Sequence, residues 1–134
     1  MWNGYELNFE TIQEIARKFD ERIVPYLLLA KRSDDIQGLA LDDEMTMGYT
    51  LKTLSAAIWC LYHTESFQEG LLAVVNAGGD ADTNAAVACS LLGAKYGFNS
   101  ISPYYVDNLR RKSLLDKVTD DLLDILCQDI QIVC

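Results

Sequence analysis

Hydrophobic residues recur at helical spacing along most of this chain. After Asn8, a residue type that favours the N-cap position, apolar residues follow three or four positions apart as far as Ile23. Pro25 is expected to break or kink this pattern, and residues 26–30 are apolar again. The pattern therefore predicts a first helix that begins after Asn8 and is interrupted at the proline.

An acidic segment of low periodicity separates this region from the next helical pattern. We interpret residues 33–48 as a long loop with one helical turn near Leu39. A second helix is predicted from Leu51 to about Tyr62, and a third from Ser66, where Ser-Phe-Gln-Glu fits a capping box. The second helix carries an apolar stripe of Leu51, Leu54, Ile58 and Leu61, widened by Trp59 and Tyr62.

The second half of the chain continues the helical pattern. A regular helix of small side chains follows residues 80–83 and ends at Gly97. A Ser-Pro pair at 102–103 starts another helix, and the last one runs roughly over 113–130. No segment convincingly predicts a strand. We therefore predict an all-α fold of six or seven helices, with residues 1–134 forming a single compact domain.

Charge and hydropathy narrow the possible partners. The net charge of −9 argues against a nucleic-acid partner, because binding to phosphate backbones depends on Lys and Arg. No apolar run approaches the roughly 20 residues that a membrane span needs. The N-terminus lacks the basic and then apolar regions of a signal peptide. We therefore expect no membrane partner and a cytoplasmic location.

The four cysteines form no C-x-x-C pair. Cys60, Cys89 and Cys127 lie inside apolar stretches, whereas Cys134 is the last residue. We interpret the first three as small core residues in a reducing compartment, not as disulfides or zinc ligands.

The most informative segment is Asn-Ala-Gly-Gly-Asp-Ala-Asp-Thr-Asn at 76–84. Asp80, Asp82 and Thr83 offer three hard oxygen ligands, which Mg²⁺, Ca²⁺ and Mn²⁺ prefer. The glycines allow a ligand to approach closely, and the N-terminus of the following helix favours an anion such as phosphate. Alternatively, Asp80 or Asp82 simply caps that helix. Three oxygens are also too few for a closed octahedral site, so water, substrate or a second group must complete it.

The wider context resembles one protein family. Residues 78–86 are similar to the late metal-binding motif of the ADP-ribosylglycohydrolase family, and the resemblance continues through 92–97. The Gly-Tyr loop and helix at 48–60 resemble the segment that precedes this motif, and the helix start at 66–69 falls where the family begins its next helix. The resemblance is strong over 48–109 and weaker on both flanks.

The resemblance implies an all-α domain corresponding to the C-terminal half of the family's fold. It implies hydrolysis of the glycosidic bond between ADP-ribose and a protein side chain or related acceptor, with two Mg²⁺ or Mn²⁺ ions. The metal ligands then map onto Asp80, Asp82 and Thr83, and no catalytic residue is assigned apart from them. The expected substrate-binding positions are Gly48, Tyr49, Gly78 and Gly79.

The sequence departs from the family pattern in its ligand set. The family's other metal ligands, a Thr/Ser-Asp-Asp run, and a glutamate near the cleft belong to an N-terminal region that precedes the part resembled here. The run Ser-Asp-Asp at 33–35 lies too close to the D-x-D-T motif to replace them, and we interpret it as a solvated loop. His63, the sole histidine, is expected at a helix C-terminus, where a cation suits the helix dipole.

These observations leave three functional hypotheses. The chain is first expected to be part of an ADP-ribosyl glycohydrolase, acting on ADP-ribosylated substrates once the missing N-terminal half is supplied. The alternatives are a catalytically inactive module that binds metal or ADP-ribose, and a structural remnant. In each case an uncovered apolar face predicts self-association as a homo-oligomer.

Overall fold

The fold is helical throughout the part of the chain that the computed structural model describes, namely the backbone of residues 8–129 and the side chains of residues 8–127. Within that range there is no β-strand, which confirms the all-α prediction. The seven α-helices and two 3₁₀ turns are α1 (Phe9–Phe19), α2 (Ile23–Arg32), a 3₁₀ turn (Ile36–Leu39), α3 (Thr50–His63), α4 (Phe67–Asn76), α5 (Ala81–Tyr96), a second 3₁₀ turn (Phe98–Ser100), α6 (Pro103–Asp107) and α7 (Lys112–Asp129).

The helices form two compact units, with the boundary between Ile101 and Ser102. In the first unit α3 packs against α2 and α5, and α4 packs against α5, around one hydrophobic core. The second unit contains α6 and α7, and no residue from 102 to 127 is fully buried. The assignment of residues 1–134 to a single domain stays a prediction.

The first helical pattern is interrupted earlier than the sequence predicts. Asn8 caps α1 as expected, because its side-chain oxygen accepts a hydrogen bond from the backbone N–H of Glu10 at 2.9 Å. The interruption comes at Asp20, whose carboxylate accepts from the backbone N–H and the guanidinium of Arg22. Pro25 lies in the first turn of α2. Backbone N–H groups in a first turn have no hydrogen-bond partner within the helix, so the N–H that proline lacks is not needed there.

Helix α3 is buried on more sides than its predicted stripe suggests. Every residue from Ser55 to Cys60 is buried, whereas Leu51, Leu54 and Leu61 are only half-buried. The reason is that several helices pack against α3. Positions that would face solvent, and be polar, in a helix packed on one face only are therefore occupied by small side chains, which let the neighbouring helices approach closely. Trp59 is a core residue, as predicted, and its indole N–H donates to the carbonyl of Ser33 at 2.8 Å.

Cys60 lies in the core, as predicted, and Cys89 is half-buried against it. Burial raises the pKa of the Cys60 thiol to about 12 and also raises the pKa of Cys89, so both are protonated thiols near neutral pH. Cys127 is exposed, and the prediction of a core position was wrong, because the second unit buries none of its described side chains fully. Cys134 lies outside the described residues. Within the described range, no helix combines the length and the apolar character that crossing a bilayer requires.

Candidate functional site

The turn between α4 and α5 depends on two glycines in the left-handed backbone region. Helix α4 ends at Asn76, and Gly78 and Gly79 then adopt φ values of 77° and 65°. This conformation is strained for residues with a Cβ atom. Asp80 follows as the N-cap residue of α5, and Asp82 lies in the first turn of that helix. The sequence predicted the glycine pair at this turn, but it placed the following helix after residues 80–83, whereas α5 already begins at Ala81.

Gly79 lies in direct contact with the long acidic loop. A Cβ atom at Gly79 would collide with the carbonyl oxygen of Leu41 and would lie 3.1 Å from the Cα atom of Asp42. Leu41 is itself buried in the core, as are Ile36 and Leu39. The 33–48 segment is therefore not a free loop, because three of its apolar side chains are buried in the core.

The remainder of that loop is fixed to the first turns of α3. The amino group of Lys52 contacts the carbonyl oxygen of Ala40 and lies 3.6 Å from the carboxylate of Asp43. Asp43 also accepts hydrogen bonds from the Thr46 hydroxyl at 2.6 Å and from the Met45 backbone at 3.1 Å. These bonds hold the residues that immediately precede Gly48.

One cavity of about 330 Å³ lies where the two segments meet. Its lining consists of Met47, Gly48, Gly79, Asp80 and Asp82. The opposing segments are close, since a Cβ atom built on Gly48 would lie 3.6 Å from Oδ2 of Asp80. The structure thus brings together two predicted metal ligands and two predicted substrate-binding glycines.

A second cavity of about 450 Å³ adjoins the first and shares Met47 and Gly48 with it. Tyr26 and Tyr49 line this second cavity, with their rings edge to face and their centroids 5.8 Å apart. Tyr49 therefore lies at the border of the acidic cavity and is not part of its lining.

The carboxylates of the first cavity fit the chemistry of a hard divalent cation, but the ligand set is partial. Asp80 occupies the N-cap position of α5 without accepting a capping hydrogen bond through its side chain, which disfavours the purely structural interpretation of this residue. Within residues 8–127, no ion pair involves Asp80 or Asp82. In the same part of the chain, no group of three or more His, Cys, Asp or Glu side chains is arranged to hold a metal ion.

Two other predicted positions do not line this cavity. Thr83 is an exposed residue in the first turn of α5, so the convergence of its hydroxyl with the two carboxylates stays a prediction. Gly78 faces the acidic loop, where an added Cβ atom would lie 3.7 Å from the Cβ atom of Asp42.

The other candidate polar residues have local structural partners. Asp35 caps the first 3₁₀ turn by accepting from the backbone N–H of Gln37 at 3.0 Å. His63 ends α3, stacks on Trp59, and lies 3.1 Å from the carbonyl oxygen of Ala30. Since α3 has 14 residues and rises about 1.5 Å per residue, His63 is about 20 Å from the end that carries Gly48.

Sequence reasoning missed a buried polar pair beside the cavity. The hydroxyl of Thr53 donates to the side-chain oxygen of Asn84 at 2.8 Å, and both residues are buried. Met47 was also missed as a lining residue. The available signal was that Thr53 and Asn84 are polar residues within apolar helical segments, although their pairing depends on how α3 and α5 pack.

Comparison with known proteins agrees with the family resemblance seen in the sequence. The sequence model of the ADP-ribosylglycohydrolase family matches residues 5–131. ADP-ribosylarginine hydrolase Tri1 of Serratia proteamaculans (strain 568) is 28% identical over 99 residues, which cover 74% of this chain and 27% of that protein. The protein of the same name from Pseudomonas putida (strain GB-1) is 32% identical over 83 residues, which cover 62% of this chain and 22% of that protein.

A third relative is named for a different substrate. ADP-ribosyl-[dinitrogen reductase] glycohydrolase of Rhodospirillum rubrum is 36% identical over 64 residues, which cover 48% of this chain and 22% of that protein. The chain thus aligns with about a quarter of the length of these relatives. No solved structure matches it. Because the family model spans nearly all of the sequence, the chain belongs to the ADP-ribosylglycohydrolase family.

Proposed function

We propose that this chain contributes part of the divalent-metal site of an ADP-ribosyl glycohydrolase. The observation that carries the proposal is the cavity in which Asp80 and Asp82 meet the backbone of Gly48 and Gly79. The relatives' names support an ADP-ribosylated substrate, and two of them support linkage through arginine. Asp80, Asp82 and Thr83 are the proposed ligands of Mg²⁺ or Mn²⁺.

Each part of the cavity has a proposed role in binding the substrate. Gly48 and Gly79 lack side chains, so the substrate approaches the two carboxylates closely. The N-terminal turn of α5 offers backbone N–H groups to the diphosphate. A divalent ion held by Asp80, Asp82 and Thr83 would supply a Lewis acid at this position.

The partial ligand set predicts that the chain alone binds metal weakly and does not turn over substrate. Two carboxylates and one hydroxyl leave about half of an octahedral shell to water or to other groups. Further ligands supplied by another polypeptide segment, such as the family's N-terminal half, would complete the site. An inactive binding module would keep the weak metal binding, whereas a structural remnant would show none.

Metal titration tests this proposal directly. We expect the chain to bind Mn²⁺ with a dissociation constant on the order of 10⁻⁴–10⁻³ M, in the weak range of protein sites for hard cations. Asp82→Asn should weaken binding more than about tenfold, because even residues that only hydrogen-bond to a metal ligand contribute about that much to metal affinity. Electron paramagnetic resonance of free Mn²⁺ provides the measurement.

The matched control is Asp34→Asn, which removes the same charge from an exposed residue outside the cavity lining. It should leave the dissociation constant unchanged. Equal weakening by the two substitutions would indicate general charge attraction, and it would contradict a site at the α4–α5 turn.

We also propose that the chain self-associates. Several large apolar side chains are exposed within the described range, among them Phe19 at 82% and Phe98 at 68%. Covering such groups favours association, and a symmetric dimer is the commonest arrangement. Light scattering at micromolar concentration should give the mass of a dimer or larger species with and without Mn²⁺. A monodisperse monomer would contradict this expectation.

A further inference from the structure

A side-chain hydrogen bond joins α3 to α5 next to the two opposing segments that form the acidic cavity. Asn84 belongs to the first turn of α5 and is 3% exposed, and its backbone N–H donates to the carbonyl oxygen of Asp80 at 2.9 Å. Its side chain points away from solvent and accepts the hydroxyl hydrogen of Thr53 at 2.8 Å. Asn84 is therefore bonded to the proposed ligand turn through its backbone and to α3 through its side chain.

Thr53 makes the corresponding connection to the other segment. It is 6% exposed and lies in the first turn of α3, where its backbone N–H donates to the carbonyl oxygen of Tyr49 at 3.3 Å. Tyr49 directly follows Gly48, which faces Oδ2 of Asp80. A continuous path of short contacts thus runs from the Gly48 loop through Thr53 and Asn84 to Asp80.

We infer that Thr53 and Asn84 are a positioning pair, whose buried hydrogen bond sets the separation between the D-x-D turn and the Gly48 loop and thereby the metal affinity of the cavity. The inference rests on the proposed function. A buried hydrogen bond acts over a narrow range of distance and angle, so it restricts sliding and rotation of α5 against α3. Neither side chain lines the cavity, so neither is proposed as a ligand.

The opposite end of α5 has separate connections, which provide a control. The hydroxyl of Tyr96 donates a hydrogen bond to the carbonyl oxygen of Thr64 at 2.5 Å. The amino group of Lys95 donates to the carbonyl oxygen of Leu61 at 2.7 Å. These bonds attach α5 to the end of α3 that is remote from the cavity. Loss of the Tyr96 bond should lower stability without altering the proposed metal site.

The test compares Thr53→Val with Thr53→Ser and Tyr96→Phe in the full chain. Valine keeps the volume of threonine but donates no hydrogen bond, whereas serine keeps the hydroxyl. We expect Thr53→Val to raise the Mn²⁺ dissociation constant about tenfold, as loss of groups that orient metal ligands does. Thr53→Ser should bind Mn²⁺ like the parent chain. Tyr96→Phe should lower the melting temperature but leave the dissociation constant unchanged.

Each outcome separates the inference from the proposed function. An unchanged dissociation constant in folded Thr53→Val would overturn the inference and leave the metal site standing. Equal weakening by Thr53→Val and Tyr96→Phe would also overturn it, because the effect would then follow general stability. Absence of Mn²⁺ binding to the parent chain would contradict the proposed site itself and with it the inference.

Discussion

Replacing Gly79 with alanine is expected to lower the free energy of unfolding by about 2–5 kcal/mol, because a Cβ atom there combines backbone strain with a steric clash. Gly79 has φ of 65°, and the added atom would collide with the carbonyl oxygen of Leu41. That carbonyl cannot easily retreat, since the Leu41 side chain is buried in the core. Denaturant unfolding measures the loss.

Gly93→Ala is the matched control for this substitution. Gly93 lies within α5, and no neighbouring atom lies within 4 Å of an added Cβ atom. Alanine should stabilise this position by about 0.5–1 kcal/mol, since it has the higher helix propensity. Similar stabilities for Gly79→Ala and Gly93→Ala would contradict the close contact between the α4–α5 turn and the 33–48 loop.

The helices were predictable where local signals determine them. Asn8 and Ser66 are side-chain caps in the structure, as their residue types predict, and Gly97 ends α5 with φ of 82°. The first interruption was assigned to Pro25 but occurs at Asp20. Proline is tolerated in a first helical turn, and a sequence pattern alone does not show where that turn begins.

The proximity of Gly79, Asp80 and Asp82 was predictable because these residues lie close in sequence, whereas their role as a site stays a prediction. The glycine pair and the two carboxylates occupy one turn, so their proximity follows from local spacing. The association of Gly48 with Asp80 was available only through family resemblance. The anchoring of Leu41 against Gly79 depends on packing between distant segments, which neither composition nor periodicity determines. The apolar residues within the acidic loop were the overlooked signal.

Activity should appear when the chain's segment is placed in a complete relative. In the proposed chimera, the 99 aligned residues of the Serratia proteamaculans relative are replaced by the matching residues of this chain. Under the proposed function, this chain would supply Asp80, Asp82 and Thr83, and the relative would supply the remaining metal ligands. We expect the folded chimera to hydrolyse ADP-ribosylated arginine with Mg²⁺, while this chain alone shows negligible turnover.

The decisive comparison is the chimera with and without Asp82→Asn. Circular dichroism must first show that both proteins are folded to the same extent, with Glu65→Gln in the chimera as the charge-matched control, since Glu65 is exposed and outside the cavity lining. We predict that kcat/KM for ADP-ribosylarginine hydrolysis falls more than about 100-fold in Asp82→Asn. This loss of activity would exceed the loss typically caused by replacing a residue that only hydrogen-bonds to a metal ligand. A folded chimera without activity, or one equally active with Asp82→Asn, would contradict the assignment of the α4–α5 turn to the catalytic metal site.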